Sequence, residues 1–206
     1  CGGKLDGVVA GASVANSGDI PGELLTSTNY FGGITTLDGL RPMLARGDAP
    51  KAVGIGSSSM NVVPIVEQLL ELYLAGDEAA ARDLSARFGR EDPAVHVTSQ
   101  FGFVRWIREQ ATKPEWIGEG INLNAIAPGA IVAPTRTADE ITAVKVRGNV
   151  YPVPAGRPGT TGEIADLVGF LLSESAGYLC GTIIFIDGGT EAAVRSGNSP
   201  APIAVL

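Results

Sequence analysis

Histidine occurs once in this chain, at His96, and cysteine twice, at Cys1 and Cys180. A single imidazole rules out a histidine-built metal centre, and two thiols make neither a disulfide framework nor a thiolate metal site. So sparing a use of cysteine fits a reducing compartment, the cytoplasm, and reads Cys180 as a small apolar packing residue. Cations are also scarce: Lys and Arg number 15 against 22 Asp and Glu, a formal charge of −7. Nucleic acids and anionic membranes reward clustered cations, so neither is expected as a partner. Apolar runs are short and broken by Gly, Pro or charge, leaving no stretch that reads as a membrane span. The opening Cys1-Gly2-Gly3-Lys4-Leu5-Asp6 lacks the basic start and apolar core of a secretory signal. It also lacks an initiator Met, which reads as a chain that begins inside a longer one.

What is present suffices for one core, since 45% of the 206 residues are apolar. Short apolar runs bounded by Gly or Pro begin at Asp6, Lys51, Ile121 and Thr182 and read as buried strands. A Gly/Ser/Asn/Pro loop covers residues 13–22. Helical spacing follows over 24–44 through Leu25, Phe31, Ile34, Leu37, Leu40 and Leu44, with Arg41, Arg46 and Gly47 marking its end. Residues 62–88 read as two amphipathic helices interrupted at Gly76-Asp77, a cap or insert. A helix over 97–111 turns Phe101, Val104 and Ile107 inward and leaves Arg105, Trp106 and Arg108 at its edge. Another spans 162–172, with Glu163 in the first turn complementing the helix dipole. The tail from Arg195 reads as loosely held. Alternating apolar strands and helices predict an α/β fold with a parallel sheet covered on both faces.

Six short patterns occur in order: Asp6-Gly-Val-Val-Ala-Gly-Ala12, Asn29-Tyr-Phe-Gly32, Ile55-Gly-Ser57-Ser58, Asn124-Ala-Ile-Ala-Pro-Gly129, Gly156-Arg-Pro158 and Ile186-Asp-Gly-Gly189. Together they resemble the signposts of the short-chain dehydrogenase/reductase family, and in spacing its bacterial hydroxysteroid dehydrogenase and carbonyl reductase members. The resemblance runs from Leu5 to Ala193. It implies a Rossmann-like doubly wound parallel sheet. Residues 1–194 would be the C-terminal part of one such domain, with a helical insert near 62–88 and a flexible tail over 195–206. It also implies hydride transfer between NAD or NADP and a small apolar alcohol or ketone. A homo-oligomer is implied too, associating through the helix at 97–111 and the last strand; Trp106 and Trp116 read as packing or subunit-contact residues.

In that family a tyrosine exchanges the proton, and a lysine four residues later lowers its pKa and holds the nicotinamide ribose. A serine polarises the substrate oxygen, and an asparagine anchors a relay water. Ser57 matches the serine, with Ser58 and Ser59 competing in a one-residue slip, and Asn29 matches the asparagine. His96 stands at the tyrosine position and Gln100 at the lysine position. Pro128, Gly129 and Ile131 match the turn that meets the nicotinamide, with Ala133 in place of a threonine. Gly11-Ala12-Ser13 replaces the family's Asn-Ala-Gly, so Gly11 and Ala12, with Gln100, are expected on the cofactor side.

These replacements matter chemically. A phenol titrates near ~10 and needs a neighbouring ammonium to exchange protons near neutrality. Gln100 is neutral and cannot supply that shift, although it can hydrogen-bond a ribose hydroxyl. Imidazole titrates near ~6.5 unaided, but it is shorter than phenol, and about 1 Å of misplacement costs about 10²-fold. No strand, Gly-rich turn and helix precede Asp6, and Gly54-Ile-Gly56 is not that fingerprint, so the N-terminal βαβ portion is expected to be missing. The first strand then becomes an apolar edge, paired either by an absent segment or by another chain. Two readings stay open: an oxidoreductase by ancestry, inactive or impaired as the chain stands, and a non-catalytic scaffold or ligand-binding pseudoenzyme of the same fold. A serine hydrolase is a distant third, because Gly-x-Ser-x-Gly is absent.

Overall fold

A computed structural model describes residues 2–15, 19–90, 92–132 and 152–199. Cys1, Ala133 and most of the 195–206 tail lie outside the described residues. Four strands form one parallel sheet in the order β1 (Gly7–Ala10), β2 (Lys51–Ile55), β3 (Asn122–Pro128) and β6 (Ile183–Ile186). The central pair is buried on both sides, and successive residues serve opposite faces. Ala52 and Ala125 pack with one core cluster, while their neighbours Val53 and Ile126 pack with another. The first cluster is closed by α2 (Gly33–Leu44) and α5 (Ala94–Ala111), through Leu37, Leu44, Phe103, Val104 and Ile107. The second is closed by α6 (Thr161–Leu172) through Ile164, Leu167, Val168 and Leu171. This is the doubly wound arrangement the alternation predicts. On the outer strand β1, Val8 and Ala10 are buried and Val9 is 40% exposed.

Several local expectations are corrected. Residues 24–44 do not form one uniform α-helix: a short α1 (Gly22–Leu25) passes into a π-helix (Thr26–Gly32) and then into α2. Helix α5 starts at Ala94 rather than at 97, because Val97 N–H already bonds the Pro93 carbonyl and Ala94 N–H bonds the Asp92 carboxylate. His96 therefore lies inside the helix instead of opening it. Phe101 is only half-buried; its neighbour Phe103, 2% exposed, takes the core position. After the Gly188-Gly189 turn the chain adds a further helix, α7 (Thr190–Arg195). A two-stranded ribbon of β4 (Ile131–Val132) and β5 (Gly159–Thr160) was not expected either.

The insert is two helices, α3 (Glu67–Ala75) and α4 (Glu78–Ser85), broken at Gly76, whose φ of 74° is left-handed, and capped anew by Asp77. They lie on α5, α1 and the π-helix. A buried hydroxyl hub anchors them: Thr26 Oγ1 is 2.9 Å from the Tyr73 hydroxyl and 2.5 Å from Ser85 Oγ, which donates to the Ala81 carbonyl. Burial pushes the Tyr73 phenol up to about 12, so it stays neutral. Trp116 is buried and meets Trp106 edge-on at 6.1 Å, which places both in packing. Cys180, half-buried, sits with Sγ 3.3 Å from the Ala111 carbonyl. Replacing Thr26 with Val keeps the shape but takes away the Thr26 partner of the buried Tyr73 hydroxyl, while Ser85 keeps its bond to the Ala81 carbonyl. Urea unfolding is expected to show a loss of about 1–3 kcal/mol, and an unchanged midpoint would refute the hub as an anchor.

Candidate functional site

The carboxyl ends of β1, β2 and β3 open on one cavity of about 280 Å³, lined by Ser13, Ala15, Ile55, Gly56, Ser57, His96, Gln100, Pro128 and Gly129. Its position follows from the fold: in an open parallel sheet the strands deliver their ends, and the turns after them, to one edge. Ser57 follows β2 in extended geometry and accepts a bond from Ser59 N–H at 3.2 Å, while Ser58 is buried. His96 and Gln100 are one helical turn apart on α5 and so project to the same side. Gly129 ends β3; a Cβ there would lie 2.7 Å from Asp187 Cα, so only glycine lets this turn approach the last strand so closely.

Asn29 does not line the cavity but supports it from behind. The π-helix widens the turn at Thr26–Gly32 and presents the Asn29 carboxamide, 3% exposed, to the loop after β1. Val14 N–H donates to Asn29 Oδ1 at 2.7 Å, and Asn29 Nδ2 donates to the Val14 carbonyl at 3.0 Å. The same Oδ1 accepts from the Ser13 hydroxyl at 3.1 Å, and Nδ2 stands 3.4 Å from His96 Nδ1. Gln100 Nε2 donates to Ser13 Oγ at 3.1 Å. Ser13 is the member that sequence reasoning missed; its signal was a serine where the family pattern has glycine.

The electrostatics of the cavity are those of a neutral site. Burial pushes His96 below its ordinary 6.5, with the Val14 carbonyl pulling the other way. Because an amide nitrogen only donates, the Asn29 contact is a bond when His96 Nδ1 is bare and the proton sits on Nε2. Among the described residues, none that lines the cavity carries a formal charge at pH 7. Tyr30, beside Asn29, stacks on Tyr73 at 4.5 Å with its phenol pushed up by burial, and it does not line the cavity. Lys51 spends its ammonium on the Ala49 carbonyl at 2.7 Å. The tyrosine and lysine positions of the family pattern are thus not made good from elsewhere among the described residues.

The remaining expected residues lie close by. Gly11 and Ala12 follow β1 and are exposed, with Ser13 and Ala15 rather than these two in the cavity wall. Ile131, in β4, lines a smaller cavity of about 70 Å³ with Arg157, Glu163 and Asp187. There the Arg157 guanidinium holds the Glu163 carboxyl at about 2, at a bond of 2.6 Å, while Glu163 also closes a capping box with Thr160. The insert contributes no residue to the main cavity wall, but Val66 N–H bonds Thr98 Oγ1 at 2.9 Å, fixing it beside His96 and Gln100. No helix among the described residues is long and apolar enough to cross a membrane.

A doubly wound parallel sheet with a polar cavity at its carboxyl edge defines a Rossmann-like α/β protein, in which that edge is where ligands are taken. Comparison narrows this. Residues 81–191 match the family model described as enoyl-(acyl carrier protein) reductase. The chain is 32% identical over 200 residues to the 3-alpha-hydroxysteroid dehydrogenase/carbonyl reductase of Comamonas testosteroni, covering 95% of this chain and 76% of that one. It is 34% identical over 126 residues to a short-chain dehydrogenase/reductase of Botryotinia fuckeliana, 48% of whose length it spans. Among solved structures it superposes on the 3-alpha-hydroxysteroid dehydrogenase of Pseudomonas sp. B-0831 complexed with NADH, with a TM-score of 0.79 and 31% identity, over 96% of this chain and 77% of that one. The chain belongs to the short-chain dehydrogenase/reductase family.

The lowered His96 pKa gives a pH dependence. The unfolded chain takes up the His96 proton near 6.5, while the folded chain resists it, so stability contributed by the neutral ring falls as pH drops below that value. Denaturant midpoints of the wild type and His96→Gln, followed from pH 8 to 5, are expected to converge on acidification. Parallel curves would show that His96 is not held neutral by burial.

Proposed function

We propose that the cavity takes the nicotinamide-ribose end of NAD or NADP beside a small apolar alcohol or ketone, and that proton exchange, not binding, is what the chain has lost. The neutrality of the cavity carries this reading: His96 and Gln100 replace the phenol and ammonium that the family uses, and neither is charged at neutral pH. The cofactor fits one particular of this structure. Gln100 Oε1 is buried and has no partner among the described residues, an acceptor that a ribose hydroxyl satisfies. Pro128 and Gly129 supply the turn for the ring, and Ile131 lies in the smaller cavity beyond it. When bound, nicotinamide supplies or takes a hydride.

The chain's own groups then do three things. Ser57 offers its hydroxyl to the substrate oxygen. The apolar wall of Ile55 and Pro128 suits a carbon skeleton of moderate size. His96, held neutral by burial, offers a ring N–H as a hydrogen-bond donor, which polarises an oxygen but does not release a proton readily. A hydroxysteroid-like substrate is the class that the relatives favour. A cytoplasmic setting and a homo-oligomer belong to the same proposal.

The second reading, a ligand-binding relative without catalysis, rests on the same neutrality, and one experiment separates the two. NADH or NADPH fluorescence is expected to titrate on the wild-type chain, with ketone turnover near background. His96→Tyr with Gln100→Lys is expected to raise kcat/KM by about 10²-fold or more, the scale of a positioned acid and base. Saturable cofactor binding without turnover in the restored pair would favour the non-catalytic reading. Absence of any nicotinamide binding would sink both cofactor assignments.

A further inference from the structure

The polar side chains around the cavity have their donors and acceptors fixed by the backbone. Val14 binds the Asn29 carboxamide on both sides, N–H to Oδ1 and carbonyl to Nδ2, so the amide has one orientation. Its Oδ1 only accepts, and Ser13 Oγ stands 3.1 Å away, so the single Ser13 proton is committed there. Toward Gln100 the Ser13 oxygen then has only lone pairs to offer. Gln100 must meet it with Nε2, at 3.1 Å, and its Oε1 is driven to the opposite side of the amide. That oxygen belongs to a side chain 2% exposed in the cavity wall and has no partner among the described residues. The bonds run in one direction: Val14 sets Asn29, Asn29 sets Ser13, Ser13 sets Gln100.

We propose that Ser13 is a positioning residue that fixes Gln100 with its amide nitrogen spent and its oxygen unpaired and buried in the cavity wall, so that a neutral donor, a ribose hydroxyl, suits the site where a lysine would itself donate. The proposal rests on the nicotinamide reading for the identity of the ligand, but not for the orientation of Gln100. Ser13 and Gln100 are thereby one device: each replaces the residue of the family pattern, and the serine supplies the partner that a glutamine needs and a glycine cannot give. Ala15 and the Pro128-Gly129 turn line the same wall and carry no side-chain donor or acceptor that competes.

The test uses two ligands that share the dihydronicotinamide ring: reduced nicotinamide mononucleotide, which has the ribose, and 1-methyl-1,4-dihydronicotinamide, which does not. Ser13→Ala and Gln100→Met are each expected to weaken the mononucleotide about three- to tenfold, the worth of a hydrogen bond, and to leave the methyl compound within about twofold. The double variant is expected to lose no more than Gln100→Met alone, because Ser13 acts through Gln100. Additive losses, or an unchanged mononucleotide affinity in Ser13→Ala, would overturn the assignment. Failure of both ligands to bind the wild type would sink the nicotinamide reading and leave the orientation to be read separately. In that case the Gln100 side-chain amide protons, followed by NMR in the ligand-free chain, are expected to shift and exchange faster in Ser13→Ala. Unchanged Gln100 resonances would overturn the positioning role itself.

Discussion

The carboxamide of Asn29, held from both sides by the backbone of Val14, is the interaction on which the site depends. It joins two elements far apart in sequence, the loop after β1 and the π-helix, and it does so where a buried amide has no water to fall back on. A buried carboxamide left unsatisfied costs about 1–3 kcal/mol, so the loop and the helix are constrained to meet in one register. From that clamp the arrangement propagates outward. Ser13, next to Val14, is bonded to it; Gln100 is bonded to Ser13; His96 Nδ1 lies 3.4 Å from Asn29 Nδ2. The π-helix is what makes the reach possible, because the wider turn displaces Asn29 from the line an α-helix would give it.

What this clamp supports is a family site from which charge has been withdrawn. In the family pattern a lysine sets the electrostatics and a tyrosine responds to it. Here both positions are neutral, and burial makes His96 still less ready to become a cation. The polar network has not decayed, however. Ser13 stands where the pattern has glycine and supplies an acceptor to the very glutamine that replaced the lysine. A site relaxing after the loss of function would not be expected to satisfy its buried groups so selectively, leaving a lone acceptor at the cavity wall. This is what the proposed reading of a pocket for a ligand rests on. The insert helps by fixing α5 through Thr98, two residues from both His96 and Gln100, without entering the cavity itself.

Much of the fold was legible because buried parallel strands advertise themselves as short, fully apolar runs, and the four strands of the main sheet lie where those runs do. The break of the insert at Gly76-Asp77 was legible for a local reason, a left-handed glycine followed by an aspartate cap. Other features had no such local cause. A π-helix shares its apolar spacing with an α-helix over so short a span, so residues 24–44 read as one helix. The start of α5 was placed late, although Asp92-Pro93 carries the start signal: an acceptor for the first free N–H and a proline that needs none. The ribbon of β4 and β5 has two residues in each strand and therefore no periodicity to read. Ser13 was noticed only as a departure from a pattern, because its purpose lies in Gln100, 87 residues away. The positions of Ser57, His96 and Gln100 came from family spacing, but their bonding could come only from the folded chain.

The most direct test of this account is a crystal structure of the chain soaked with NADH. The account predicts the nicotinamide ribose in the cavity beside Pro128 and Gly129, with a ribose hydroxyl within hydrogen-bond distance of Gln100 Oε1 and the Asn29–Val14 and Gln100–Ser13 bonds retained. A dinucleotide bound elsewhere, or a Gln100 amide turned so that Nε2 faces the ribose, would contradict it.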